Sequence, residues 1–242
     1  MGKGAIFVNF IKSVKSLTTA EKILWIVSVT VILLSLIVTG RFEMLVFTAS
    51  VLGISSTLFA AKGDVFGPVL IIFFSILYAI ISYQTNYYGE MITYLGMTTP
   101  MAIFSVVSWL KNPFQEGKNE VEISSLTVFQ IVKMLIYSVA VTAAFYFILK
   151  YFHTASLIVS TISITTSFLA AYLTFCRSSF YALAYAANDL ILIILWIIAA
   201  GNDSSYISMA VCFTMFFIND IYGFYSWSKM KKRQLALLQK NV

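Results

Sequence analysis

The chain has 242 residues, 60% of them hydrophobic and 11% charged, with a mean hydropathy of +0.90. Soluble domains carry about 25% charged residues, so this composition excludes a soluble globular protein and points to one that crosses a membrane many times. The net charge of +6 does not indicate nucleic acid, because the cations lie between apolar runs and at the termini, where membrane-orienting charge belongs.

Residues 1–22 do not read as a cleaved signal peptide: four lysines are spread through them and no short apolar core ends in a small-residue site. Residues 3–15 instead predict a short interfacial helix with its lysines among the headgroups. Thr18 or Thr19 then caps the first of eight apolar segments, at 23–39, 42–61, 66–84, 89–110, 128–150, 155–175, 181–200 and 205–228. With both termini on one side, that side holds fourteen Lys and Arg residues and the other only Arg41 and Lys150. The positive-inside rule makes the rich side cytoplasmic and sets the protein in the cell membrane with both termini inside. The loop at 111–127 has Pro, Gly and alternating charge and predicts a linker between halves.

The halves resemble each other. ISSTLFAA (54–61) matches ITTSFLAA (164–171) at an offset of 110. Leu77-Tyr78 with Leu195-Trp196, Tyr88 with Tyr206 and SWLK (108–111) with SWSK (226–229) match at 118. Four spans per copy make these parallel repeats, a transporter plan.

Two Asn-Asp pairs, Asn188-Asp189 and Asn219-Asp220, interrupt the last two apolar runs. Each aspartate lies eight residues from the cytoplasmic end of its span, a depth of about 12 Å. Carboxyl groups at that depth face a bundle interior or a water-filled cavity, so the pairs mark a polar site between helices. Their plainer alternative is a bond that fastens helices together. Glu90, Tyr94 and Thr98 form a polar stripe at four-residue steps in the fourth span, with Glu90 placed at the interface. Thr98 and Thr99 precede Pro100, whose missing N–H predicts a kink or loosened turn; the alternative for the threonines is back-bonding to their own helix. Trp109 and Trp227 end their spans beside lysines and read as interfacial anchors. Neither Cys176 nor Cys212 has metal-ligand spacing, the single His153 is in a loop, and no nucleophile–base motif is present, so an enzyme, a metal site and a cofactor are not expected.

The segments YYGEMITYLGMTTPMAIFSVVSWLKNP (87–113), ANDLILIILW (187–196) and FFINDIYGFYSW (216–227) resemble the Pnu vitamin transporters over roughly residues 42–228. The resemblance implies an all-α membrane protein with a fold akin to the SWEET sugar transporters. In it, two parallel three-helix bundles (42–110 and 155–228) are joined by a linker and one helix (111–154). An interfacial segment and extra helix (1–41) precede them and a basic tail (229–242) follows. It further implies facilitated diffusion of a vitamin-type small molecule, foremost nicotinamide riboside, with trapping by a cytoplasmic kinase and a trimer as the assembly suggested by related carriers. On that reading Asn188, Asp189, Asn219 and Asp220 bond ribose or amide groups or balance a cationic ring. Trp196 and Tyr222 stack on the ring, and Tyr94, Thr98 and Thr99 line the path. Thr98-Thr99 stands where the nicotinamide riboside branch has Gln before Pro, and Trp196 has no tryptophan partner in its span. Deoxyribonucleosides, thiamine, and a proton-coupled solute using Asp189 or Asp220 therefore stay open.

Overall fold

Among the described residues, eight helices long and apolar enough to cross a bilayer follow one another, as the hydropathy pattern predicts. The structure, a computed structural model, describes residues 10–40, 42–85, 87–115, 118–154 and 156–240. Of the predicted interfacial helix only α1 (Phe10–Lys15) is described; residues 1–9 and Arg41 lie outside the described residues. The extra span is α2 (Thr19–Val38), started by a capping box in which the Thr18 hydroxyl accepts from the Glu21 N–H and Glu21 accepts from the Thr18 N–H. It is followed by α3 (Met44–Ala61) and α4 (Phe66–Gln84). The fourth span is α5 (Tyr88–Thr93), a π-helical turn over Tyr94–Thr98, and α6 (Thr99–Lys111). After the linker come α7 (Val128–Tyr151), α8 (Leu157–Phe175), α9 (Tyr181–Ala200) and α10 (Ile207–Lys240). At 34 residues α10 is about 51 Å long. Up to Lys240 the basic tail expected at 229–242 is helical and continuous with α10.

The loosened turn predicted before Pro100 is real. Pro100 cannot donate, and the N–H and hydroxyl of Thr99 both reach back to the Tyr94 carbonyl, five residues away.

In the first half α3, α4 and α6 pack together, and in the second α8, α9 and α10. The halves meet where α10 lies on α3 and α6 on α8. Helix α2 rests on both α3 and α10, while α7 packs mainly on α8 and exposes most of its surface.

The internal repeat is legible in the turns. After α3, Gly63 (φ 66°) ends the helix; after α8, Arg177 (φ 57°) does the same. Gly63 and Asp64 donate to Ala60 and Phe59, and Arg177 and Ser178 donate to Thr174 and Leu173. The carbonyls of Gly63 and Arg177 accept from Val121 and Ser124 of the linker, which ties the two turns together. Every equivalent pair is 114 apart. The sequence match at 110 is thus one helical turn out of register, because small-residue runs align nearly as well when slipped by four.

Close helix approach depends on Gly67. A Cβ there would sit 2.6 Å from the Ala60 nitrogen and 2.7 Å from its Cα, so backbone rather than a movable side chain is in the way. Gly67→Ala is expected to destabilise the α3–α4 contact by about 1–3 kcal/mol, read as a lower melting temperature of the purified protein; an unchanged melt would mean the helices separate freely.

Trp109 and Trp227 are not the interfacial anchors expected of them. Both are buried, and each donates its indole N–H across the halves. Trp109 of α6 bonds the Thr174 carbonyl of α8, and Trp227 of α10 bonds the Ala60 carbonyl of α3. Their rings lie 5.5 Å apart, and Tyr181 packs 4.6 Å from Trp227. This clasp holds the halves together at the end of the molecule that carries the termini.

Candidate functional site

The two aspartates expected at one level meet. α9 packs on α10, and the carboxyl groups of Asp189 and Asp220 come to the wall of one cavity. Both are buried, and the second oxygen of Asp189 has no partner among the described residues.

Beside them is a cavity of about 60 Å³. Ligand pockets usually measure roughly 300–1,000 Å³, so the arrangement is closed around a space for a few waters. Of the nine residues singled out from the sequence, five line it: Asn188, Asp189, Asp220, Tyr94 and Thr98. The Asn188 carbonyl accepts from the hydroxyls of Thr166 and Ser167, both at 2.8 Å, which fixes the amide orientation and leaves its N–H donors for a ligand. Tyr181 adds a buried hydroxyl without a partner among the described residues.

The other four lie elsewhere, each for a visible reason. Trp196 is fully buried in the core, donating to the Tyr78 hydroxyl at 2.9 Å and packed against Tyr87 and Tyr206. Asn219 donates to the Ser28 hydroxyl of α2 at 3.0 Å and to the Met215 carbonyl. Tyr222 donates to Glu21 of α2, which is paired with Lys62. Thr99 bonds back to its own helix, the plainer of its two readings. Asn219 and Tyr222 thus fasten the extra helix to α10 instead of facing the cavity. Glu90, expected at the interface, is buried.

The lining follows the repeat. Gly53, Thr57, Ala60, Gly67, Ile71 and Phe74 line one side, and the residues 114 further on, Ser167, Ala171, Thr174, Tyr181, Tyr185 and Asn188, line the other. Ala102 and Asp220 pair in the same way at 118. The carboxyl and amide groups of the lining, Asn188, Asp189 and Asp220, all come from the second half, while the first half contributes only hydroxyl groups (Ser56, Thr57, Tyr94, Thr98 and Ser105) among apolar residues.

A parallel two-fold arrangement with its polar groups enclosed at the centre suits passage of a small polar solute, and the comparisons agree. The family model described as nicotinamide mononucleotide transporter matches residues 43–229. The chain belongs to that family. It is a membrane transporter rather than an enzyme.

Among relatives of this transporter, the nicotinamide riboside transporter PnuC of Neisseria mucosa is 25% identical over 189 residues, covering 76% of this chain and 72% of that protein. The crystal structure of the vitamin B3 transporter PnuC has a TM-score of 0.81 at 22% identity, covering 96% of this chain and 100% of that one; the likeness extends the shared fold to α2, beyond the residues matched by the family model.

The transporter has a second, wider recess of about 600 Å³ at the end bearing the termini, lined by Lys12, Glu21, Lys62, Asp64, Tyr222 and Lys229 among others. Burial pushes the Asp64 carboxyl above its usual range, against the lowering pull of hydrogen bonds from Ser13, the Phe66 N–H and Asn119 and of the charge on Lys62. Its residues bond mostly to one another: Glu120 pairs with Arg233, and Ser13 bonds Asp64.

Sequence reasoning passed over Tyr181, Tyr185 and Thr174. A signal was present. Tyr181 and Tyr185 precede Asp189 by eight and four residues, and Ser167 and Thr174 are seven apart, so each pair shares a helix face with the site.

Proposed function

We propose that this transporter carries nicotinamide riboside, a cationic nucleoside, across the cell membrane by facilitated diffusion, and that a cytoplasmic kinase traps it by phosphorylation. The observation that carries this reading is the division of the cavity. A nucleoside has a flat ring and a hydroxyl-rich sugar. The ring would lie on the wall of Ile71, Phe74 and Phe216, with ribose and amide groups toward Asn188, Asp189, Tyr185 and Asp220. The name of the Neisseria mucosa relative supports the same substrate. The fourteen-to-two charge asymmetry supports cytoplasmic termini, and the exposed face of α7 offers a surface for further copies in a trimer.

Purified protein is expected to be stabilised by nicotinamide riboside and not by riboflavin. At 100 times the dissociation constant the gain is about 2.7 kcal/mol. Stabilisation by thiamine or deoxyribonucleosides alone would move the substrate to another branch and make Thr98 at the cavity the place to look for the change. The paired aspartates favour one second reading, proton coupling, since a carboxyl pair inside the membrane is suited to passing a proton. Uptake into proteoliposomes that responds to an imposed pH gradient would establish it; facilitated diffusion predicts none.

A further inference from the structure

Glu90 plays no part in the cavity, yet its placement is unusual. It lies in α5 on the far side of the aromatic cluster from the clasp, is 1% exposed, and neither carboxyl oxygen has a hydrogen-bond partner among the described residues. Among the described residues no basic side chain hydrogen-bonds to it. Phenol rings lie close to it along the helix: Tyr87 and Tyr94 stand three residues before and four after it, and Tyr94 packs on Tyr78. Those rings form a cluster of tilted and edge-on contacts with Trp196: Tyr78 and Tyr94 are 4.4 Å apart and Tyr87 and Trp196 are 5.1 Å apart. Tyr94 is also cavity lining, so this cluster separates Glu90 from the central cavity. The π-helical turn begins four residues after Glu90, where the helix is already loosened. The equivalent position in the second half, 118 further on, is Ser208, so the acid is not a demand of the repeated fold.

An orphaned buried carboxyl group is costly, and a carboxyl group beside aromatic rings is the chemistry that receives an organic cation. We propose that Glu90 with Tyr78, Tyr87 and Tyr94 forms an outer station for a positively charged heteroaromatic ring. The ring is held there on its way to the central cavity, which gives a cationic nucleoside preference over a neutral one. The aromatic cluster opens at the π-helical turn to pass it inward. This rests on the substrate reading above and adds the residue that reads charge.

The test uses two probes of nearly equal shape, cationic nicotinamide riboside and its neutral dihydro form, with uptake measured in proteoliposomes. Glu90→Gln is expected to reduce nicotinamide riboside uptake at least tenfold and to leave uptake of the dihydro form within twofold. Glu90→Asp, which keeps the charge, is expected to recover part of the loss, and melting curves of both variants establish that they fold. Equal loss for both probes would give Glu90 a structural role and overturn the proposal, as would unchanged discrimination in Glu90→Gln. No uptake of nicotinamide riboside by the unsubstituted protein would instead overturn the substrate reading, and the station with it.

Discussion

Replacing Asn188 with leucine is expected to weaken nicotinamide riboside binding by about a hundredfold while the protein remains folded. The amide is held by Thr166 and Ser167 through its oxygen, so what leucine removes from the cavity is a pair of oriented N–H donors. Each hydrogen bond to a neutral group contributes about 1–1.5 kcal/mol, and leaving a ligand acceptor unpaired in a buried site costs more. Together they amount to roughly 2.7 kcal/mol, or a factor of a hundred. The fold tolerates the change because Thr166 keeps the carbonyls of Ile162 and Ser163 as partners; only the Ser167 hydroxyl is left without one.

The same substitution at Asn219 separates the two pairs. From the sequence, both asparagines belong to the ligand. In the structure Asn219 bonds Ser28 and its own helix, so Asn219→Leu is expected to lower the melting temperature and leave affinity within about threefold, each hydrogen bond contributing about 1 kcal/mol to stability. Calorimetric titration of both variants reads the difference. Equal losses would return Asn219 to the site, and no loss at Asn188 would remove the polar wall from the binding reading.

The contrast shows what the sequence carries. Eight apolar runs and their order were legible because a bilayer demands long apolar helices and tolerates few exceptions, whereas the repeat was legible only to within one helical turn of its register. The cost of a membrane-buried acid also made the Asp189–Asp220 level legible, and the missing N–H of Pro100 announced the loosened turn. What could not be read was which neighbour each polar residue faces. Asn188 and Asn219 have the same local pattern, but α2 lies against α10 and not against α9, so one amide is consumed by Ser28. Trp196 has the composition of a stacking residue and the position of a core one, since it faces Tyr78 from the other half. Trp109 and Trp227 carried the signature of interfacial anchors, tryptophan beside lysine at a span end. Only the pairing of α6 with α8 and α10 with α3 turns them inward.

That inward turn carries the second large effect. Trp227 is fully buried, packs on Trp109 and Tyr181 and bonds the Ala60 carbonyl, so it touches two residues, Ala60 and Tyr181, that line the cavity. Trp227→Ala should cost about 3–5 kcal/mol, as buried aromatic truncations do, and should release the hold of α10 on Ala60. Trp227→Phe retains a ring but not the indole N–H. The Ala60 carbonyl still accepts from the Gly63 N–H at 2.8 Å, so that change should cost only about 1 kcal/mol. A cysteine placed at Ser105, which lines the cavity and is buried, reports on closure in a background lacking Cys176 and Cys212. A membrane-impermeant thiol reagent applied from the side of the termini should label it slowly in the parent. Labelling should be faster with Trp227→Phe and fastest with Trp227→Ala, because the indole both fills the gap and bonds across it. If Trp227→Ala melts lower yet labels no faster, the clasp stabilises the fold without governing access, and the closure must lie deeper, at Phe216 over Gly53 and the ring of Tyr94.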